Sequence, residues 1–226
     1  KLMTALIVLE EHALDEVVTV DPLANKTASS SIGLFAYEKI SVETLLEAIL
    51  IGSANDAAVA LAVHNAGSEK AFAAKMQKRA LDLDLRSAEF YNATGLDIFD
   101  PQTSSFRGNT MSAIDVVRLS RIVWRDEFVR NTVAKAEFVG TSVDGEFVHQ
   151  KDTTNELLGT DLNLKGLKTG FTKLAGQCFV SVGVNAQGYE IMTIVLGSED
   201  RFGVIDLFNC GTLMDFSGDE SDEKVM

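Results

Sequence analysis

The sequence predicts a mixed α and β protein, in which a helical lobe meets an antiparallel sheet that is closed by a final helix. Two observations indicate this class. Up to about residue 135, apolar residues recur at three- and four-residue steps, as on one face of a helix. Beyond it, short apolar runs flank turn sequences such as Asp144-Gly145, which is typical of β-hairpins. A cleft is expected where the two parts meet.

The first helices are predicted from apolar periodicity and from capping residues. Residues 2–14 form a helical pattern, and the polar stretch 21–33 after it is predicted to be a loop. Ser41 suits the N-cap of a second helix. The sequence GSAND at 52–56 interrupts that helix, and an Ala-rich helix then continues to Gly67, a typical helix end.

Two more helices are predicted before the sheet begins. Phe72, Met76 and Ala80 mark the apolar face of the first one. Ser112 and Asp115 form a capping-box-like pair at the start of the second one.

The sheet is predicted from two hairpins. AEFVGTS and EFVHQ flank the first turn, and CFVSVGV and YEIMTIVL flank the turn sequence NAQG. The strands of the second hairpin are nearly all apolar, which predicts that both of their faces are covered. A final helix is expected over 201–216, followed by an acidic tail at 217–226.

One domain of two lobes is therefore expected over residues 1–216. The helical lobe is placed at about 41–134, and the sheet lobe at 1–40 and about 135–216.

Charge and composition exclude several classes of partner. The 226-residue chain has a formal net charge of -13, which argues against nucleic acid because phosphates favour a basic surface. No apolar run approaches the roughly 20 residues that span a bilayer, so no transmembrane segment is expected. His12, His64 and His149 lack the spacing of a zinc site, and the sequence predicts neither a metal nor a cofactor.

Two tripeptides lie where the predicted structure changes. Ser53-Ala54-Asn55 falls in the break between two helices, where a hydroxyl and an amide can face a cleft. Lys168-Thr169-Gly170 falls in the strand-like GLKTGFT, where Gly170 has no side chain to obstruct a ligand along the strand. Each motif alone is weak evidence, because a capping turn and an exposed strand edge also explain them.

Taken in this order, the two tripeptides match the S-x-N-type and K-T-G elements of β-lactamases and penicillin-binding proteins, whose first element is S-x-x-K. The sequence resembles one branch, the low-molecular-weight D-alanyl-D-alanine carboxypeptidases. LLEAILIGSANDAAVALA, NATGLD, TTNELL and AGQCFVSV resemble segments of that family, in its order, over residues 1 to about 216. The resemblance implies a β-lactamase/transpeptidase-like fold.

The same resemblance implies an activity. That family removes the terminal D-alanine from peptidoglycan stem peptides through a serine acyl-enzyme, binds β-lactam antibiotics and works outside the cytoplasmic membrane. KLMTA follows S-x-x in the family, so Lys1 resembles the Lys of S-x-x-K. The nucleophilic Ser is then expected three positions before Lys1, with one or two strands further upstream. We expect the chain that starts at Lys1 to be inactive by itself.

The resemblance also implies roles for the catalytic residues. Lys1 would be the base, because a neutral Lys can take the proton of a Ser hydroxyl. Lys168 would be the nearby cation that discourages protonation of Lys1. Ser53 would relay a proton toward the departing D-alanine, and Asn55 would hold the amide of the substrate.

The implied substrate-binding residues lie on the K-T-G strand and on the last helix. Lys168, Thr169 and Gly170 would line the strand beside the substrate, and the backbone N–H of Phe171 would supply half of the oxyanion hole. Arg201 would bind the terminal carboxylate together with Thr169. For Arg201 a surface ion pair with a neighbouring acidic residue, Glu199 or Asp200, is an equally good interpretation.

Some features depart from the family, and they leave other functions open. FRGNTMS lacks a His that relatives often have after the NATGLD-like segment, and Phe171 stands where many relatives have His or Tyr. A β-lactamase would need a carboxylate for deacylation, which Glu89 near Asn92 superficially offers. A D,D-endopeptidase would use the same residues. A catalytically dead relative that serves as a binding or scaffold module is the non-enzyme alternative.

Overall fold

The protein is described by a computed structural model of residues 1–27, 29–160, 162, 164–185 and 187–209. The helices in these residues are α1 (Leu2–Glu11), α2 (Pro22–Asn25), α3 (Val42–Ile51), α4 (Asn55–Ala66), α5 (Glu69–Asp82), α6 (Ala113–Trp124), α7 (Glu127–Val133) and α8 (Arg201–Asn209). The strands are β1 (Val17–Thr19), β2 (Lys39–Ser41), β3 (Ile98–Asp100), β4 (Ser105–Arg107), β5 (Glu137–Thr141), β6 (Val148–Asp152), β7 (Leu164–Thr172), β8 (Gly176–Val184) and β9 (Glu190–Ser198). The mixed α and β class is confirmed.

Local capping explains where the central helices begin. The Ser41 hydroxyl accepts the backbone N–H of Thr44, which confirms the predicted N-cap of α3. The Ser112 hydroxyl likewise accepts the N–H of Asp115 at the start of α6. The reciprocal half of that capping box is absent there, because the Asp115 carboxylate accepts from the backbone N–H and hydroxyl of Ser87 instead.

The first helix is shorter than predicted. α1 ends at Glu11, and the next residue, His12, is extended. The chain turns here because the Leu14 carbonyl accepts the N–H of Glu43 and the Glu16 carbonyl accepts the N–H of Val42, both in the first turn of α3. The N–H groups in the first turn of a helix have no intrahelical partners. The carbonyls of residues 14 and 16 supply partners for two of these groups in α3, and α1 therefore ends before it reaches residue 14.

The sequence predicted a loop over residues 21–33, and this prediction is only partly correct. The stretch contains the one-turn helix α2, which Asp21 caps and Pro22 begins. The short strands β1 and β2, which pair with each other on either side of this stretch, were not predicted.

The largest sheet in the described part of the chain is antiparallel, in the order β7-β8-β9. The central strand β8 is largely buried, which confirms the prediction of two covered faces for that strand. The same prediction is wrong for β9, where several residues are exposed or half-buried. β9 lies at an edge of this sheet, so fewer neighbours cover it. The hairpin predicted at Asp144-Gly145 is confirmed as β5 and β6, and it packs against α3.

The larger of two apolar clusters among the described residues connects the helices with the sheet. Buried residues of α1, α3, α4 and α5 form one cluster with Leu167, Val180 and Val182 of the sheet. In a smaller cluster, Ile205 of α8 packs against Leu164, Phe179 and Val195 of the sheet. The shared core fixes the position of β7 relative to the ends of α1 and α4.

The predicted lobe boundaries stay a prediction. α1, which they group with the sheet, packs against α3, α4, α5 and α6. The final helix is described as far as Asn209, so its predicted extension to 216 and the acidic tail lie outside the described residues. None of the described helices combines the length and the apolar character needed to cross a membrane.

Candidate active site

The break between α3 and α4 presents Ser53 and Asn55 side by side. Ser53 has a backbone φ of 56°, a left-handed conformation that is costly for a residue other than Gly and often found at functional sites. Asn55 begins α4, and its backbone N–H donates to the Ser30 carbonyl at 2.7 Å. The Asn55 side chain is buried, yet its Oδ1 has no hydrogen-bond partner among the described residues. Such an orphaned acceptor is suited to a ligand donor.

Asp56 holds the loop that runs beside this break. Its buried carboxylate accepts the backbone N–H groups of Ile32, Gly33 and Leu34 at 2.9–3.1 Å. Because these bonds fix the end of the loop, Ser30 stays close to the start of α4.

The K-T-G tripeptide lies in β7, with its first two side chains buried. Lys168 is only 9 % exposed, and its Nζ donates to the Thr169 carbonyl at 3.0 Å. The Thr169 hydroxyl donates to the Thr154 hydroxyl at 2.6 Å. A Cβ added at Gly170 would have only an ordinary contact, with Cys178 at 3.9 Å. There is thus open space on that side of the strand, as the sequence suggested.

Lys1 lies at the N-terminal end of α1, where the NATGLD segment supplies its acceptor. Its Nζ donates to the Thr94 carbonyl at 2.6 Å. The Asn92 side chain forms the turn that orients this carbonyl, because it accepts from Gly95 N–H and donates to the Leu96 carbonyl.

Arg201 points toward β7 from the start of α8. Its Nη1 donates to the Gly170 carbonyl at 3.0 Å, while its buried Nε has no hydrogen-bond partner among the described residues. The alternative ion pair with Glu199 or Asp200 is not formed between these described residues; Asp200 instead accepts the N–H of Gly203 and caps α8. The guanidinium therefore keeps donors for a ligand.

All eight residues singled out from the sequence line one cavity of about 490 Å³. They are Lys1, Ser53, Asn55, Lys168, Thr169, Gly170, Phe171 and Arg201. No Asp or Glu is present in the lining formed by the described residues. A chain with a net charge of -13 thus has a cleft whose charged side chains are all cations.

Burial and the charges of neighbouring cations lower the pKa values of the two lysines in this cleft. Burial, followed by the charge of Lys151, lowers the pKa of Lys1 to about 8. Burial is also the main reason why the pKa of Lys168 lies well below 10.5, and the charges of Lys1, Arg201 and Lys151 lower it further. A lowered pKa makes the neutral amine, which can accept a proton, available nearer to neutral pH.

The sequence did not identify three of the groups that shape this site. Thr94 and Thr154 lie in NATGLD and TTNELL, so their presence in family-like segments was an available signal. Lys151 gave no signal. It reaches the site because β6 packs beside α3, where Gly52 leaves room for its stem, and its Nζ donates to Ser30 Oγ at 2.7 Å.

A β-lactamase would need a carboxylate for deacylation, and none is present in the described lining of the cleft. Glu89 is exposed, and its carboxylate accepts from the Tyr91 hydroxyl at 2.8 Å. Asn92 is occupied by the turn that it stabilises.

An antiparallel sheet and a helical region that share such a cleft define the class of penicillin-binding, transpeptidase-fold proteins. The ampicillin-bound crystal structure of penicillin-binding protein D2 from Listeria monocytogenes has this fold, with a TM-score of 0.73 and 30% identity. That match covers 91% of this chain and 82% of the other. The cefotaxime-bound form of that protein matches with a TM-score of 0.74 and 31% identity, over the same shares of the two chains.

The family can be stated more narrowly. A family model described as D-alanyl-D-alanine carboxypeptidase matches residues 1–200. The chain is 30% identical to D-alanyl-D-alanine carboxypeptidase DacD of Escherichia coli, over 90% of this chain and 52% of that protein. It is 29% identical to D-alanyl-D-alanine carboxypeptidase DacF of Bacillus subtilis, over 80% and 46% respectively. The chain belongs to the D-alanyl-D-alanine carboxypeptidase family, and it spans about half the length of these curated relatives.

Proposed function

We propose that the complete protein removes the terminal D-alanine from peptidoglycan stem peptides through a serine acyl-enzyme. The observation that carries this proposal is the meeting of Ser-x-Asn, Lys-Thr-Gly and Lys1 in one cavity lined by cations and by no described carboxylate. Such a cleft attracts a peptide that ends in a free carboxylate.

Lys1 is the base in this proposal. By the family resemblance, the nucleophilic Ser precedes Lys1 by three positions, and residues three apart on a helix are neighbours. A Ser hydroxyl attacks a carbonyl only when a base takes its proton. A Lys with a pKa of about 8 supplies the neutral amine at mildly alkaline pH.

Ser53 and Asn55 act on the substrate from the other side of the cleft. The Ser53 hydroxyl relays the proton from the base toward the nitrogen of the departing D-alanine. The Asn55 side chain, whose Oδ1 has no partner in the described part of the chain, holds the amide of the substrate, which would satisfy that oxygen.

The substrate lies along β7, whose outer edge is not paired with any strand in the described residues. An extended peptide binds such an edge through backbone hydrogen bonds. The N–H of Phe171 then supports the developing oxyanion, while Thr169 and Arg201 bind the terminal carboxylate.

The proposed location and partners rest on the family resemblance. We propose that the protein works outside the cytoplasmic membrane on stem peptides ending in D-Ala-D-Ala, and that β-lactams acylate the same Ser. The structures of the relative from Listeria monocytogenes in ampicillin-bound and cefotaxime-bound forms support the latter.

Two protein preparations test the proposal, namely the complete protein and the chain that starts at Lys1. Labelled penicillin is expected to modify the complete protein once and to leave the shorter chain unmodified. A stoichiometric adduct on Ser53 of the shorter chain would refute the assignment of the nucleophile. Absence of any adduct on the complete protein would leave the binding or scaffold alternative.

The substrate class is tested on the same complete protein. We expect release of D-alanine from a stem pentapeptide. Cleavage of only cross-linked dimers would instead indicate a D,D-endopeptidase, the activity named for a relative from Escherichia coli that is 31% identical over 80% of this chain. Rapid turnover of penicillin would indicate a β-lactamase.

A further inference from the structure

Two of the three His residues, which are far apart in the sequence, meet at the opposite end of α1. His12 follows α1, His64 lies in the last turn of α4, and Glu16 lies just before β1. The Glu16 carboxylate lies between the two rings, with Oε2 2.9 Å from His12 Nδ1 and Oε1 2.7 Å from His64 Nε2. One ligand atom from each of the three residues lies within 4.8 Å of the other two.

We propose that His12, Glu16 and His64 bind one divalent transition-metal ion of the zinc type. Two imidazoles and one carboxylate are an established zinc ligand set, and they leave a fourth position for water. Tetrahedral bonds of 2.0–2.2 Å place ligand atoms about 3.3 Å apart, so each imidazole nitrogen needs to move about half an ångström away from the carboxylate oxygen that it now contacts. The side chains of His12 and His64 are 15% and 22% exposed, which allows an ion to enter.

The hydrogen bonds around His12 determine how tightly the ion is held. Asn65 Nδ2 lies 2.9 Å from His12 Nε2, and Asn65 Oδ1 accepts from Lys75. In this arrangement Nε2 accepts a hydrogen bond, so Nδ1 carries the proton that it donates to Glu16. Ligation through Nδ1 moves the proton to Nε2, which then needs an acceptor. The Asn65 amide must therefore turn, and this limits the affinity.

The ion would have a structural role, apart from the cleft. It would join the end of α1, the end of α4 and the segment that leads into β1. Ten helical residues at 1.5 Å each place this site about 15 Å from Lys1. The inference is therefore independent of the proposed peptidase activity, and its test does not need an active enzyme.

The first experiment measures zinc binding by the complete, untagged protein after chelator treatment. We expect a zinc ion at this site, and a thermal midpoint that rises by about 5 °C when free zinc is 100 times the dissociation constant. Co²⁺ in the same site should show the visible absorption of tetrahedral coordination. No thermal shift with zinc at millimolar concentration would overturn the proposal.

Variants show whether these residues are the ligands. His64→Gln and Glu16→Gln should each weaken zinc binding about 100-fold, because loss of a residue that merely orients a ligand already costs 10- to 100-fold. Glu10→Gln is the matched control: it removes the same charge from a carboxylate that pairs with Arg79, and it should leave the affinity within about twofold. Equal affinity in all three variants would place the metal elsewhere and overturn the proposal.

A further variant tests the role of the His12 nitrogen. Asn65 Nδ2 also donates to Glu11 Oε2 at 2.8 Å, so the variant is made in a Glu11→Gln background, where Asn65→Asp gives His12 Nε2 an acceptor without opposing a second carboxylate. It should tighten zinc binding about 10-fold relative to Glu11→Gln alone. Unchanged or weaker binding in this variant would contradict ligation through His12 Nδ1.

Discussion

The two ends of α1 differ in how their charged side chains are paired. At the His12 end, Glu10 pairs with Arg79 at 2.6 Å and Glu11 pairs with Lys75 at 2.7 Å, all partly exposed. At the other end, Lys1 enters a cleft whose described lining contains cations and no carboxylate. Exposed ion pairs contribute little to stability, whereas buried charges without a counterion are costly. A fold that keeps such cations therefore indicates a site that binds anionic groups.

Removal of the most buried cation should have the largest effect. Lys168→Ala is expected to reduce penicillin acylation of the complete protein about 1000-fold, because a preorganised charge in a dry cleft stabilises the transition state. Gel fluorography with labelled penicillin measures this rate. Lys165→Ala is the matched control on the same strand, since Lys165 is exposed and pairs with Glu190. Equal loss in both variants would show that β7 is merely distorted.

Replacement of Arg201 should affect only substrates with a terminal carboxylate. Arg201→Ala is expected to lower kcat/KM about 100-fold for a peptide ending in D-Ala-D-Ala, since a charged bidentate contact is lost. The same peptide with an amidated terminus should be hydrolysed equally by the wild type and the variant. If the variant has an equally reduced kcat/KM for both peptides, Arg201 does not bind the terminal carboxylate.

The cost of burying Lys168 should appear as a pH dependence of stability. Its folded-state pKa is lowered, so the unfolded state binds more protons between that value and about 10.5. The destabilisation is complete below the lowered pKa and disappears as pH rises toward 10.5. Lys168→Met, which keeps the apolar stem, should therefore be more stable than the wild type at low pH. The difference should shrink by about 1.4 kcal/mol per pH unit in that window.

Urea denaturation at several pH values measures this difference in the free energy of unfolding. A difference that stays constant with pH would mean that packing, rather than charge, separates the two proteins.

A smaller effect is expected from Lys151, which acts through Lys1. The pKa of Lys1 is lowered by burial and, to a smaller extent, by the charge of Lys151, so Lys151→Met should raise that pKa. If neutral Lys1 is the base, the alkaline rise of the acylation rate should move to higher pH by less than about one unit. Lys151→Arg, which keeps the charge, should restore the original profile. A shift toward lower pH in Lys151→Met would contradict this coupling.

Those elements that local chemistry specifies were predictable from the sequence. Ser41 marks the beginning of α3 and Gly67 marks the end of α4, because capping depends on residues within one turn. The strands β1 and β2 were missed, since three residues carry little pattern and their pairing depends on a partner some twenty residues away. The same reasoning explains the end of α1, whose last predicted turn is replaced by contacts with α3.

The site residues likewise fall into those that local sequence predicts and those that only tertiary packing brings in. Ser53, Asn55 and the K-T-G strand were identified because the motifs are contiguous in sequence. Lys151 was not, because it enters through packing of the β5–β6 hairpin on α3. The His12 and His64 pair was likewise not predicted, since 52 positions separate the two residues and only the packing of α1 on α4 brings them together.

The smallest predicted effect tests the paired end of α1. Arg79 donates to both carboxylate oxygens of Glu10, and its side chain is 30% exposed. Arg79→Ala should lower the free energy of unfolding by less than about 1 kcal/mol, because solvent screens the pair. Penicillin acylation should be unchanged. A loss above about 2 kcal/mol would mean that this pair holds α5 on α1, and that the charges at both ends of α1 matter to the fold.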